Sequence, residues 1–216
     1  MEVGRPVSAI LYGLSPGAIM LYNGQEIGEP GEGMEGFGSD DARTSIFDYW
    51  SMPEFTKWVN DHKYDGDQLS SAQKQLREFY SRLINLVGEP GFRNGKFFPL
   101  SPANRENVAF GRLPGEQASG HWLYAFLRYD VASPQRFLVL ANLHPTISFQ
   151  NVRVRLPGAA LKFLDLDQHH SDTTLKLMER LGERGTGTVV TIDDAMKAGV
   201  PISEMPALSA FYFEFL

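Results

Sequence analysis

The carboxylate in the most suggestive position of this sequence is Glu26. It stands at the end of the run Ala18-Ile19-Met20-Leu21-Tyr22-Asn23-Gly24-Gln25-Glu26, where an apolar segment gives way to polar residues, and it could line or support a ligand cleft. The plainer reading, a hydrogen-bond partner for neighbouring loop amides, is favoured, because a carboxylate buried beside Gln25 has to be satisfied. Tyr22 reads as a core residue. Downstream, Tyr49, Trp50 and Trp58 could stack on the apolar C–H faces of pyranose rings; anchoring a long loop as its own small core is the favoured alternative. Arg43 could reach a hydroxyl, and pairing with Asp40, Asp41 or Asp48 is the simpler role. The acids between Glu29 and Asp41 could hold calcium, which takes oxygen ligands, but they lack the spacing of a calcium loop and read as a solvated segment. Asp61, Asp65 and Asp67 read the same way, and His169-His170 has no evident third ligand. Trp122 and Tyr124 alternate with Leu123 and read as sandwich-covering residues.

These side chains need elements to carry them. Val7, Ala9, Ile10, Leu11 and Leu14 follow Pro6 as a short helix, since proline is at home in a first helical turn. Ser15-Pro16-Gly17 ends it. Ala18–Tyr22 is a continuous apolar run of the length and flanking expected of a strand buried on both faces, as in a parallel sheet or barrel. Residues 27–68 form a long, mostly irregular insertion, first acidic and Gly-rich, then aromatic; loops of that length are usually functional or disordered, and the aromatics argue for order. Ser70 and Gln73 make a capping box. Ala72, Leu76, Phe79, Tyr80, Leu83, Leu86 and Val87 follow at helical spacing, and Gly88 and Pro90 stop the helix. Helix, strand, long loop and helix thus fill residues 1–88 as a β/α unit with a preceding helix.

Beyond the Gly88-Glu89-Pro90-Gly91 breaker the texture changes. Strands are predicted at 96–100, 107–113, 121–130, 136–143, 148–156, about 161–167, 188–193 and 207–216, with Thr173–Leu181 as a short helix or turn. Val152, Val154 and Leu156 alternate with Arg153 and Arg155, and Phe211, Phe213 and Phe215 with Tyr212 and Glu214. Such alternation predicts antiparallel sheets with one buried and one solvated face. The fold class expected is therefore α+β: a partial (β/α) barrel segment in 1–88, then an antiparallel all-β sandwich in 92–216.

Composition narrows the function. The 216 residues are 43% hydrophobic, 21% charged and 12% aromatic, an ordinary globular balance. A net charge of −6 disfavours nucleic acid and anionic membrane, both held mainly by Lys and Arg patches. The absence of cysteine excludes disulfides, thiolate metal sites and a cysteine nucleophile. Met1-Glu2-Val3-Gly4-Arg5 does not read as a signal peptide, and no apolar run reaches the roughly 20 residues of a membrane helix. The compartment stays open.

Residues 15–28 resemble the segment around the eighth barrel strand of the α-amylase family (glycoside hydrolase family thirteen), whose pattern is Leu-Pro-Gly-x-Pro-x-x-Tyr-x-Gly-Gln-Glu. Pro16, Gly17, Tyr22, Gly24, Gln25 and Glu26 fall in place; Ser15 and Ile19 replace the usual leucine and second proline. Asp40–Trp50 resembles the following loop, the helix at 70–87 the eighth barrel helix, and the strand-rich end the family's carboxy-terminal sandwich. The resemblance implies a parent acting on α-glucans or maltooligosaccharides with retention, with calcium open for the parent and no cofactor assignable in this chain. It also implies an absence. The family's aspartate nucleophile, glutamate acid/base and second aspartate all lie upstream of the block seen here, and Asn60-Asp61-His62 does not match the Asn-His-Asp pattern. No catalytic residue can be assigned, and Glu26, Arg43, Tyr49, Trp50 and Trp58 remain as substrate-binding candidates. Retaining cleavage needs two carboxyls about 5–5.5 Å apart, and those come from different strand ends of a barrel.

Three readings follow: a fragment of an α-glucan hydrolase, inactive alone; a non-catalytic carbohydrate-binding or interaction module; and a structural remnant. In each, the apolar strand 18–22 would have two bare edges. It is therefore expected to meet the missing barrel portion, to self-associate, to be covered by helix 7–14 and the loop, or to rearrange.

Overall fold

A computed structural model describes residues 2–30, 52–182 and 186–216 of the chain. They fall into two compact units: residues 1–4 with 18–82, and residues 5–17 with 83–216. The elements in chain order are α1 (Gly4–Leu14), a 3-10 turn (Gln25–Ile27), α2 (Pro53–Val59), α3 (Ser71–Val87), α4 (Pro90–Arg93), β1 (Lys96–Pro99), β2 (Leu123–Tyr129), β3 (Arg136–Asn142), β4 (Phe149–Val154), α5 (Gly158–Phe163), β5 (Thr174–Glu179), β6 (Gly187–Thr191), α6 (Ile192–Lys197), β7 (Val200–Met205) and β8 (Ser209–Phe215).

The larger unit is built on a six-stranded sheet in the order β1-β2-β3-β8-β5-β6, with β4 and β7 as a second, two-stranded sheet. Every pairing is antiparallel. Leu123, Ala125 and Leu127 of β2, Leu138 and Leu140 of β3 and Phe213 of β8 meet Phe149, Val152, Val154, Ile202 and Met205 of the second sheet in one core. The opposite face of the large sheet is not solvated as the alternation predicted. Tyr212, Phe137 and Val139 are fully buried there, with Phe92 of α4 stacked 5.0 Å from Tyr212 and 4.7 Å from Phe137 between ring centroids. Helix α1 covers part of the same face: the Tyr212 hydroxyl donates to Ala9 O at 2.5 Å. A Cβ on Gly13 would stand 2.5 Å from that hydroxyl oxygen and 3.0 Å from the Phe126 ring, so only glycine lets the helix lie this close. The central strands are thus sandwiched between a sheet and helices, which is why β3 is buried at six of its seven residues and reads as an apolar run.

Two asparagines finish the second sheet. Asn104, with no exposed surface, donates to Arg155 O at 3.1 Å and to Leu100 O at 3.0 Å, and accepts from Arg155 N at 2.8 Å. Asn107 donates to Arg153 O at 2.8 Å. Their amides replace a neighbouring strand for 153–155. The residues 107–113 predicted as a strand are turns; Ala109 O alone accepts from the backbone of β4, from Arg153 N at 3.0 Å, and the asparagine side chains supply the rest of the pairing described above.

Other expectations are corrected as well. Residues 161–167 do not form a strand: Pro157 and Gly158 open α5, whose Ala160 and Leu161, with Leu164 just past its end, recur at helical spacing and are buried. The segment 173–181, expected as a helix or turn, is β5, with Leu175, Leu177 and Glu179 inward. Strand β7 was not anticipated, and neither was α2 inside the insertion, although Pro53 at its first turn is a recognised start signal. The most consequential difference concerns 18–22. This segment forms no strand, and Ala18, Ile19, Met20 and Tyr22 are exposed, Met20 by 78%. A central parallel strand takes its hydrogen bonds from neighbours on both sides, and no other described segment supplies one. No closed barrel is present among the described residues.

Candidate functional site

The smaller unit holds the described part of the predicted site. Gly24 has φ +83° and a Cβ there would meet Glu29 Cβ at 2.6 Å, so the turn at Asn23–Gly24 requires glycine. It leads into the 3-10 turn. Gln25 accepts from Tyr22 N at 3.2 Å and donates to the Tyr80 hydroxyl at 3.0 Å, fixing the turn to α3. Gln73 of α3 donates to Ile27 O at 3.2 Å and to Glu54 at 2.6 Å. Its capping box with Ser70 is formed on both sides, Ser70 N to Gln73 Oε1 at 3.0 Å and Gln73 N to Ser70 Oγ at 3.3 Å. Glu54 is held below the usual carboxylate range by its hydrogen bond from Lys57 and then by that from Gln73.

Glu26 is half-buried in the 3-10 turn. Burial raises its pKa above the ordinary value, with its own backbone N–H and the charge of Arg77 opposing. Arg77 lies on α3 with its guanidinium carbon 3.7 Å from the Trp58 ring centroid, a cation–π contact. Two of the predicted residues, Glu26 and Trp58, are therefore linked through a third that the sequence reading missed. The signal was available: Arg77 follows Leu76 and precedes Tyr80, on a helix whose apolar stripe leaves few places for a half-buried cation. Trp58 also lies 6.3 Å from Tyr64 between centroids. With Arg77 over one ring face and Tyr64 tilted beside it, the indole makes these contacts within its own unit.

The raised pKa of Glu26 has a stability consequence with a definite sign. A carboxyl whose folded pKa lies above its unfolded value stabilises the fold least when ionised. The penalty is absent at low pH and grows as pH rises through the unfolded and then the folded value. Glu26→Gln is therefore expected to raise the thermal midpoint at pH 7 and to leave it matched to the unsubstituted chain near pH 4. Melting curves across that range check it; a gain independent of pH would show that ionisation is not the cause.

Glu29 accepts from Glu54 N at 2.9 Å and from Phe55 N at 2.6 Å, capping the amino end of α2, where a carboxylate is favoured. Asp65 accepts from Asp67 N and from Asn60 Nδ2, and these bonds, the Asp67 amide first, lower its pKa. Glu29 thus serves a helix end and Asp65 a turn. Arg43, Tyr49, Trp50 and the acids at 32–41 lie outside the described residues. Among those described, no three His, Cys, Asp or Glu converge to hold a metal, and no helix is long and apolar enough to cross a membrane. What the described geometry offers is a half-buried carboxyl, Glu26, within reach of the Arg77 charge, with Arg77 itself seated on the Trp58 indole.

The class the fold defines is an antiparallel two-sheet sandwich backed by helices, joined in sequence to a helix-bearing unit with a Gly-Gln-Glu turn. No protein-family model matches the sequence, and no curated protein matches it. Solved structures match in fold. A trehalulose synthase, the MutB protein in a single-residue variant, superposes with a TM-score of 0.50 at 13% identity, covering 100% of this chain and 38% of that one. The α-amylase from H. orenii gives 0.47 at 18% identity over 98% of this chain and 35% of the other. A Nostoc punctiforme debranching enzyme, soaked with acarbose, gives 0.44 at 16% over 96% and 28%. These are enzymes of the α-amylase family, and the match is one of fold. The chain spans between 28% and 38% of the length of these three structures.

Proposed function

We propose that this chain is the carboxy-terminal part of an α-amylase-family enzyme acting on α-glucans, contributing the closing segment of a barrel, residues 1–88, and the sandwich behind it, residues 92–216. The observation that carries the reading is the state of 18–22. Of the five apolar residues in the family's eighth-strand pattern, Ala18, Ile19, Met20 and Tyr22 are exposed and none lies in a strand, and they lead directly into the Gly24-Gln25-Glu26 turn, which is held by Tyr80 and Gln73. An apolar segment of this kind is a strand awaiting neighbours, and in the parent those neighbours are the rest of the barrel. Similarity in fold to a trehalulose synthase over the whole chain supports the same origin. In the intact enzyme Glu26 and the loop after it would border the cleft for an α-glucan or maltooligosaccharide, with the reacting carboxyls supplied from elsewhere in the barrel.

The chain alone is expected to release no nitrophenol from a nitrophenyl maltoside and no reducing sugar from starch above a heat-killed control. Hydrolysis by the pure chain would overturn the assignment of the catalytic acids to missing strands. The exposed segment gives a second readout. The isolated chain should self-associate or bind an apolar dye, and Met20→Lys with Ile19→Lys should abolish both; a monomer with no dye binding would remove the strand-awaiting-neighbours argument.

A further inference from the structure

The sandwich contains a feature that the barrel reading does not use. Between the two-stranded sheet and the β6–β8 side of the large sheet lies a cavity of about 480 Å³, within the roughly 300–1,000 Å³ of small-ligand pockets. Its inner wall is aromatic: Phe211 and Phe213 of β8, edge to face at 5.8 Å between centroids. Phe213 is buried, while Phe211 is left partly open. Among its polar lining stand Asn151, Arg153, Thr188, Ser203 and Glu204, an amide, one guanidinium, two hydroxyls and one carboxylate.

The backbone is unusual at the same place. Asn151 has φ +53° in the middle of β4. The β4–β7 register runs Gln150↔Glu204, then Val152↔Ile202, and the Asn151–Ser203 position between them is skipped. Thr188 of β6 donates to Pro201 O at 2.9 Å, so β6 closes the same side of the cavity. A left-handed residue inside a strand costs free energy and survives where the surroundings hold it, a pattern that clusters at binding sites. Here it interrupts the ladder beside the cavity mouth.

The lining selects a ligand chemistry. An aromatic wall takes an apolar face, and a rim of amide, hydroxyl, guanidinium and carboxylate groups takes many hydroxyls, each as donor or acceptor; the single cation, Arg153, is matched by the single anion, Glu204. The rim has no cluster of like charge to favour an ion. We propose that this inter-sheet cavity binds a short neutral oligosaccharide, one pyranose face on Phe211 and its hydroxyls on Asn151, Ser203 and Glu204. The ring-and-hydroxyl chemistry stands on the lining; the choice of α-linked glucose as the ring rests on the proposed function.

Titration of the chain with maltotriose, with cellotriose as a second arm, tests this by calorimetry and by the aromatic resonances of Phe211 and Phe213. Saturable maltotriose binding that perturbs those rings is expected. Ser203→Trp, which fills the mouth from an exposed position, and Asn151→Gly, which keeps the left-handed backbone but removes the amide, should each weaken it at least about tenfold. Their melting temperatures should stay close to that of the unsubstituted chain. Binding of neither trisaccharide, or maltotriose binding undiminished in both variants, overturns the site. Cellotriose binding at the same rings in place of maltotriose upholds the site and overturns the α-glucan reading.

Discussion

Arg128→Met is expected to lower stability by about 3–5 kcal/mol, the range for leaving several buried carbonyls without a charged donor. Arg128 is 1% exposed, on the helix-covered face of β2. It donates to Leu14 O at 2.9 Å, to Phe92 O at 2.5 Å and to Gly95 O at 2.7 Å. Those carbonyls are the carboxy end of α1 and the region of α4, so a single guanidinium ties both helices to the sheet. Burial lowers the Arg128 pKa and raises that of Tyr212, each through desolvation first, so the phenol stays protonated and keeps its donation to Ala9. The Leu14 carbonyl lies at the negative end of a helix dipole, which partly offsets the buried charge. At about 2–4 °C per kcal/mol for a chain of this size, the midpoint should fall by roughly 6–20 °C. Hydrogen exchange should accelerate in residues 5–14 before it does in β2 and β3. Arg128→Lys should recover only part of the loss, because an ammonium cannot span three carbonyls as a planar fork does. Unchanged exchange in 5–14 would sink the account.

A loss of similar size, about 3–5 kcal/mol, is expected for Asn104→Leu. The substitution nearly preserves volume, yet it strips partners from both the N–H and the C=O of Arg155 and leaves Leu100 O with only the Asn104 backbone N–H. It also removes the acceptor for Asn107 Nδ2 at 3.0 Å, so the second asparagine is disturbed with the first. The loss should be subadditive with Asn107→Leu, since the two amides form one network. Denaturant curves on the two single variants and the double variant decide this. Strict additivity would mean that the asparagines act independently.

How far the sequence anticipated the structure depends on where each segment finds its partners. Helix α3 was legible because its start and stop are local: the Ser70–Gln73 box is present on both sides, and Gly88 follows its end. Strands β2, β3, β4 and β8 were legible because their apolar runs bury against one another. The segment 18–22 carries the same kind of signal, yet a strand is a cooperative object and its pairing lies outside what the described residues provide. At 107–113 the competing element was a pair of side-chain amides, which no periodicity reveals. In the site, Glu26 was found through a motif and Trp58 through composition. Arg77, which joins them, was passed over because a helical arginine is ordinarily a solvated one.

The carboxylate of Glu29 has a consequence beyond capping α2. By holding Glu54 N and Phe55 N, it staples together two points 25 and 26 residues apart in the chain. Once such stems are fastened, the intervening length becomes thermodynamically inexpensive to alter: doubling it costs only about 0.6 kcal/mol in closure entropy. Insertions and deletions between Pro30 and Met52 should therefore be tolerated by the rest of the molecule so long as Glu29 is kept.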